Sequence, residues 1–503
     1  MTPHITAAKL YDYTQCPHRV WRDIYGPQDE KIKETNPFVQ LLWERGIAHE
    51  EQVVSNLGEF LNLQPGPYED RFKQTISAMK EKTSLIYQGV LIYENMVGIP
   101  DLLKLLPDGQ YVPIEIKSGR GFEGVDEEEG DPGRLKKHYA VQIALYSELL
   151  NKLGFENRRL GRVIDIRTEE VEYNLNRSLG RRDSRTLWQH YEQVKNDVEL
   201  LITGEVRNKP ALVGICKLCP WYLSCKKWVD ESGDLTKIFY LGRNRRDRIN
   251  KDLGIEKITD ILCVDIKEVM RAKDRNREFL YGVGEKTLVE ILRRAKVLVE
   301  TKKPVAYANF QFPRVGYELY FDIEDDPTQE FVYMHGVYIK GPDGEEYKDF
   351  TAVELTREAE RQAWQDFWSF IRSLPPDDFA VYYYSHHEKT TYRRMQKIYP
   401  EVISEAELDS FFAHPYVIDL YDIVKKHTDW PLSSYSLKDL AQYLGFSWQD
   451  ETPSGALSIQ WFNEFIDTKD EKILQRLLTY NEDDCKATMV LKEGIENLID
   501  TQD

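Results

Sequence analysis

The amino-acid sequence predicts an α/β protein in which two sheet-containing regions flank a small helical bridge. Three observations carry that expectation. Ser84–Pro100 and Gln110–Ser118 read as strands meeting near Pro107-Asp108-Gly109, where proline presets the first turn angle and glycine tolerates positive φ. Short amphipathic helical patterns then run from about 231 to 305 around Gly282-Val283-Gly284. After the linker-like Lys302-Lys303-Pro304, the strand-like Gly316–Ile323 opens a second α/β region. The expected division is therefore 1–230, 231–305 and 306–503, and a chain of 503 residues is long enough for two or three separate cores.

Composition narrows the class. Hydrophobic residues make up 41% and aromatics 12%, a balance that suits a water-soluble globular protein. No apolar run approaches the roughly 20 residues that span a bilayer. The opening MTPHITAAKLYDYTQC has no basic region followed by an apolar core, so no secretory signal is expected and the location is read as cytoplasmic. A net charge of −18 argues against a nonspecific coat of nucleic acid. It leaves nucleic acid open as a substrate, because acidic sites attract the metal ions that cleave it. Basic runs persist at Arg243–Arg248 and Arg293–Lys296, and the acidic stretch Glu123–Asp131 reads as a mobile loop.

Asp101 closes one strand-like segment and Glu115-Ile116-Lys117 ends the next. Side chains alternate along a strand, so Glu115 and Lys117 share a face, and the hairpin brings Asp101 alongside. Two carboxylates there suit Mg²⁺ or Mn²⁺, while Lys117 can orient or activate a water and offset charge on a phosphate. His49, in a helix-like segment, offers a further metal ligand. Gln142 and Tyr146 lie one helical turn apart on one face, where they can touch a substrate backbone.

Around this set lie Cys16 and Cys216-x2-Cys219-x5-Cys225. A tight CxxC fits an intracellular metal site better than a secreted disulfide framework. Four thiolates bind either zinc or a [4Fe–4S] cluster. A zinc ribbon usually offers two close pairs, whereas Cys16 stands about 200 positions from the other three. Such a site closes a very long loop, so binding becomes folding free energy. Cys263 and Cys485 match no ligand spacing and are expected to be buried thiols.

Each of these features alone is commonplace; their joint order is specific. His49, Asp101, Glu115 with Lys117, Gln142 with Tyr146, and the split cysteines make residues 5–230 resemble the RecB-type PD-(D/E)XK nucleases. The likeness is to the iron–sulfur branch seen in CRISPR adaptation and in helicase–nucleases. It implies a restriction-endonuclease-like fold with His49, Asp101 and Glu115 as metal ligands. Catalysis would rest on Asp101, Glu115 and Lys117, and a [4Fe–4S] cluster on Cys16, Cys216, Cys219 and Cys225, with zinc as the alternative.

In the middle region, Gly282 and Gly284 look like the second half of a helix–hairpin–helix motif, whose backbone N–H groups can hold a DNA phosphate without reading sequence. A plain helical hairpin fits the same residues. Further on, Asp322 and Glu324 fall on one face of a strand, and Tyr480 and Asp484 on one face of a helix. Two-metal phosphodiester cleavage needs several carboxylates converging on ions, and Tyr480 can position the attacking water.

Residues 306–500 accordingly resemble the RNase H-like DEDD exonucleases of the tyrosine subtype, with Asp322 and Glu324 as first motif and Tyr480 with Asp484 as third. The second motif departs from the family: Glu388 takes the place where an aspartate is expected, Asp419 is its alternative, and Asp483 an alternative to Asp484. The whole chain resembles a bacterial family of RecB-like nucleases that carries this pairing. No GxxxxGK[ST] occurs, so a helicase motor would be a separate partner. The resemblance implies Mg²⁺- or Mn²⁺-dependent hydrolysis of single-stranded DNA, or of ends and flaps, in repair or defence. RNA as substrate of the C-terminal region, or a non-catalytic nucleic-acid-binding adaptor, are the alternatives.

Overall fold

The computed structural model describes residues 4–33, 36–124, 133–155, 157–180, 183–307, 311–451 and 455–501; most of the acidic stretch Glu123–Asp131 lies outside them. Contacts divide the chain into two compact units, Met1–Pro210 with Gly214–Lys227, and Ala211–Val213 with Trp228–Asp503. No helix among the described residues is long and apolar enough to cross a membrane.

After the two-residue strand Ile5–Thr6, the first unit continues with helices α1 (Ala7–Gln15), α2 (Pro17–Tyr25) and α3 (Pro37–Ser55). Strands β1 (Leu61–Asn62), β2 (Leu85–Tyr87), β3 (Leu102–Leu105) and β4 (Tyr111–Ile116) follow, then α4 (Lys137–Lys152), β5 (Leu160–Ile164), β6 (Glu170–Asn174) and α5 (Leu187–Ile202). The sheet runs β6-β5-β4-β3-β2-β1. Its central strand β4 pairs parallel with β5 and antiparallel with β3 and is buried at every position. Ile114 and Ile116 pack with Val53 of α3, so by alternation Glu115 points to the opposite face, toward Tyr146 of α4.

The turn at Pro107-Asp108-Gly109 forms as expected, with Gly109 at φ 88°. Its upstream partner differs from expectation. Ser84–Pro100 is not one strand, because Gln88 and Glu94 adopt φ of 56° and 52° and turn the chain. The segment breaks into β2 and the short strands Leu91–Tyr93 and Met96–Gly98, which join Ile5–Thr6 in a separate sheet. Asp101 therefore precedes β3 rather than ending a strand. Trp221 fastens the cysteine-bearing segment to the first helices: its ring lies under the Arg22 guanidinium at 5.0 Å, and its N–H donates to Asp23 at 2.9 Å.

In the second unit, helices α6 (Gly242–Leu253) and α7 (Glu285–Lys296) gather around Leu235, Ile249, Ile261, Leu288 and Ile291. Their basic runs are partly consumed internally. Arg246 is buried against Asp234 at 2.6 Å, and Arg293 and Arg294 both grip the fully buried Asp429. Phe239 stacks on Tyr435 with ring centres 3.8 Å apart.

The α/β part of this unit contains β7 (Tyr317–Asp326), β8 (Phe331–Gly341), β9 (Gly344–Thr351), α8 (Arg357–Ser373), β10 (Phe379–Tyr383) and α9 (His386–Ile398). It continues with β11 (Val417–Asp419), α10 (Leu420–His427), α11 (Leu437–Tyr443), α12 (Gly455–Thr468) and the long α13 (Glu471–Asp500). The sheet runs β9-β8-β7-β10-β11, an antiparallel meander extended by two parallel strands. Leu319, Phe321 and Ile323 of β7 pack on α8, which leaves Asp322 and Glu324 on the face covered by α13. Cys485 is buried as expected, whereas Cys263 is exposed because it sits in the turn after the short helix Ile258–Ile261.

Replacing Asp429 with alanine strands the buried Arg294 without its counter-charge, a loss of about 3–5 kcal/mol. We expect a lower urea midpoint for the second unit, followed by tryptophan fluorescence.

Candidate functional site

In the first unit, Asp101, Glu115, Lys117 and Tyr146 meet. One Glu115 oxygen accepts from the Tyr146 hydroxyl at 2.5 Å, and the other ion-pairs with Lys117. Asp101 accepts from the Ile116 amide at 2.7 Å and from the Gln88 side chain at 3.0 Å. That same amide group reaches Glu50 at 3.0 Å, which also takes the Tyr87 hydroxyl. Burial and the neighbouring Glu115 push Asp101 well above the ordinary carboxyl range. Burial opposes the Lys117 charge, but Glu115 and Asp101 outweigh it and hold the ammonium firmly protonated.

Gly98 makes this arrangement fit, since a Cβ there would stand 2.7 Å from the Tyr146 ring. Gln142 lies one turn before Tyr146 on α4, buried, with its carbonyl oxygen unpartnered. His49 is also buried with an unpartnered Nε2, and its ring bonds toward the Asp165 backbone rather than to Asp101 or Glu115.

Cys16 sits at the junction of α1 and α2, Cys216 and Cys219 in a short helical turn and just after it, and Cys225 in the following helix. Cys219 has its thiol pushed up to about 11, by burial first and then by Cys16 and Cys225 nearby. Among the described residues, no three cysteine sulfurs lie within 4.8 Å of one another. Gly282 (φ 80°) and Gly284 form the turn that caps α7, with Val283 buried between them.

The second unit holds the tighter acidic group. Ligand oxygens of Asp322, Glu324 and Asp484 all lie within 4.8 Å of one another, at the floor of a cavity of about 290 Å³ walled by Tyr480, Ile459 and Gly455. Each carboxylate is aimed by a donor from a different element. Asn481 donates to Asp322 at 2.8 Å, Ser458 to Glu324 at 2.7 Å, and Trp448 to Asp484 at 2.7 Å. Lys438 donates to the Tyr480 oxygen at 3.0 Å, and Tyr480 in turn bonds Asp484.

Asp483, the alternative to Asp484, instead accepts from the Gln449 backbone and side chain at 2.7 and 3.1 Å. Glu388 is buried with one oxygen unpartnered, and its charge acts on Asp322. Asp419 caps α10 and falls into a separate group with His386 and Asp422.

Asn481, Ser458, Trp448 and Lys438 carry no motif of their own. Asn481 is the most constrained: Tyr347 donates to its carbonyl at 2.8 Å, so its amide must face Asp322. Gly336, opposite Asp322 in the β7–β8 register, leaves the space, because a Cβ there would stand 1.6 Å from the Asn481 oxygen. The one available signal was position, since Asn481 follows Tyr480 on the same helix.

With strand order, acidic group and helical tyrosine in place, the comparison with protein families becomes decisive for this segment. Residues 319–495 match the family model of the RNase_H superfamily. No curated protein and no solved structure matches the chain. The match supports a nuclease-type nucleic-acid hydrolase for this segment, and the acidic group suits divalent cations such as Mg²⁺ or Mn²⁺.

Burial raises Glu324 and Glu388 each to about 8, and crowding by Asp484 adds to the rise at Glu324. The folded protein therefore binds more protons than the unfolded chain between the ordinary glutamate value and pH 8. Without metal, stability must fall as pH rises through that window. A cation must displace those protons, so its affinity rises with pH over the same window. We expect the metal-free second unit to melt lower at pH 8 than at pH 5, and Mn²⁺ to reverse the order; calorimetric melting at both pH values checks both.

Proposed function

We propose that this protein is a metal-dependent DNA nuclease with two active sites, acting on single-stranded DNA or on DNA ends and flaps in repair or defence. The convergence of Asp322, Glu324 and Asp484 within a segment matching the RNase_H superfamily carries the reading. Asp322, Glu324 and Asp484 hold the ions, with Glu388 completing the set. Mg²⁺ or Mn²⁺ bound there supplies positive charge to the scissile phosphate and lowers the pKa of the attacking water. Tyr480, fixed by Lys438 and Asp484, positions that water. Asn481, Ser458 and Trp448 keep the carboxylates aimed, so little reorganisation is needed at the reacting phosphate.

In the first unit, Asp101 and Glu115 are the metal ligands of a PD-(D/E)XK-type site, and Lys117 orients the nucleophile. His49 supplies a further ligand, while Gln142 and Tyr146 face the substrate backbone. Gly282 and Gly284 offer backbone N–H groups to a phosphate. Cys16, Cys216, Cys219 and Cys225 hold a [4Fe–4S] cluster. Zinc on the same four thiolates is the alternative. A separate helicase would feed strands to the two sites, and the compartment is the cytoplasm.

The test is degradation of 5′- and 3′-end-labelled single-stranded DNA, beside RNA of the same sequence, by anaerobically purified protein with Mg²⁺ or Mn²⁺. We expect Lys117→Ala and Asp322→Ala each to remove a distinct DNA product pattern, by about 100-fold or more. Intact DNA with both labels retained by the wild type contradicts the reading. Loss of only an RNA pattern in Asp322→Ala assigns RNA to the second site.

A further inference from the structure

Beside the carboxylates already described, the parallel edge of the second unit's sheet gathers a group that cleavage does not use. His386 is the first residue of α9, Asp419 ends β11 and caps α10, and Asp422 lies in the first turn of α10. One ligand atom from each lies within 4.8 Å of the others.

Local structure explains only part of this group. Asp419 Oδ1 accepts from the Tyr421 amide at 2.9 Å and the Ser385 amide at 3.1 Å, the work of a helix cap. Its other oxygen, Oδ2, is buried and makes no hydrogen bond, although the side chain is only 8% exposed. It faces His386 Nδ1 at 3.8 Å, too far for a hydrogen bond. Two ligands with bonds of about 2.0–2.2 Å to one ion can sit up to about 4 Å apart, so this gap is of the size a cation bridges. Asp422 pairs with Lys426 at 2.9 Å and Lys425 at 3.5 Å, which leaves a carboxylate still able to give an oxygen to an ion.

We propose that His386, Asp419 and Asp422 form a further divalent-cation site, distinct from the Asp322 centre and selective for a transition ion such as Mn²⁺. One imidazole and two carboxylates favour such an ion over Mg²⁺, which prefers oxygen alone. His386 is largely exposed, so the remaining coordination positions open to solvent. The site ties the start of α9 to the start of α10. Glu388 lies one half-turn beyond His386 on α9, buried, with its own unpartnered oxygen; its charge acts on Asp322, and it feels the charge of Asp419. An ion on His386 thereby fixes the helix start that delivers Glu388 beside Asp322.

This inference is independent of phosphodiester cleavage and is read from bound ions. Mn²⁺ is titrated into full-length protein carrying Asp322→Asn, with bound ion counted from loss of the free-ion electron paramagnetic resonance signal. Adding His386→Ala and Asp422→Asn should remove one equivalent of bound Mn²⁺, or weaken it at least tenfold. Electron spin echo modulation from a directly bound imidazole nitrogen should weaken in His386→Ala alone. Circular dichroism melting establishes that each variant is folded, as expected for two partly exposed side chains. An unchanged count and unchanged nitrogen modulation in the folded triple variant overturn the site.

Discussion

Carboxyl groups crowded away from water set the terms for the second unit. Asp322, Glu324, Asp484 and Glu388 repel one another where solvent screens little, and burial alone raises each of them. The fold answers with fixed donors: Asn481 from α13, Ser458 from α12, and Trp448 from the loop between α11 and α12. Lys438 contributes the positive charge that lowers Asp322, Glu324 and Asp484. Hydrogen bonds and one ammonium cannot neutralise four carboxylates. Protons fill the deficit in the metal-free protein, and divalent cations are the natural replacement.

The first unit meets the same difficulty with a different device. Glu115 carries its own counter-ion, Lys117, and Tyr146 satisfies its second oxygen, while the Ile116 amide and Gln88 occupy Asp101. Every carboxylate oxygen in this group is already engaged. A metal ion there must share those oxygens with their existing partners, whereas in the second unit it displaces protons. The two acidic groups therefore differ in what binding costs, and different metal affinities for the two units follow from that difference.

Much of the second site was legible because it rests on local periodicity. Strand alternation placed Asp322 with Glu324, and helical spacing placed Tyr480 with Asp484. What escaped came from contacts between distant segments. Gly336 matters only because Asn481 lies over it, and Asn481 points correctly only because Tyr347 holds its carbonyl. Nothing in the local pattern of Gly336, Tyr347 or Trp448 marks them out. In the first unit, the apolar run 84–100 read as one strand because Gln88 and Glu94 carry no turn signature. Glu94 lies in the two-residue turn that joins Leu91–Tyr93 to Met96–Gly98, and the Gln88 side chain is held by Glu50 and Asp101. Cys263 was misread for a related reason, since its exposure follows from the end of a four-residue helix that pattern alone does not bound.

The most direct measurement is anomalous diffraction from crystals soaked in Mn²⁺ with a short single-stranded oligonucleotide. Two peaks about 3.5–4 Å apart, bounded by Asp322, Glu324 and Asp484 with a backbone phosphate between them, are the expected result. Saturating Mn²⁺ with no anomalous density at those three carboxylates would contradict a metal-dependent nuclease site in the second unit.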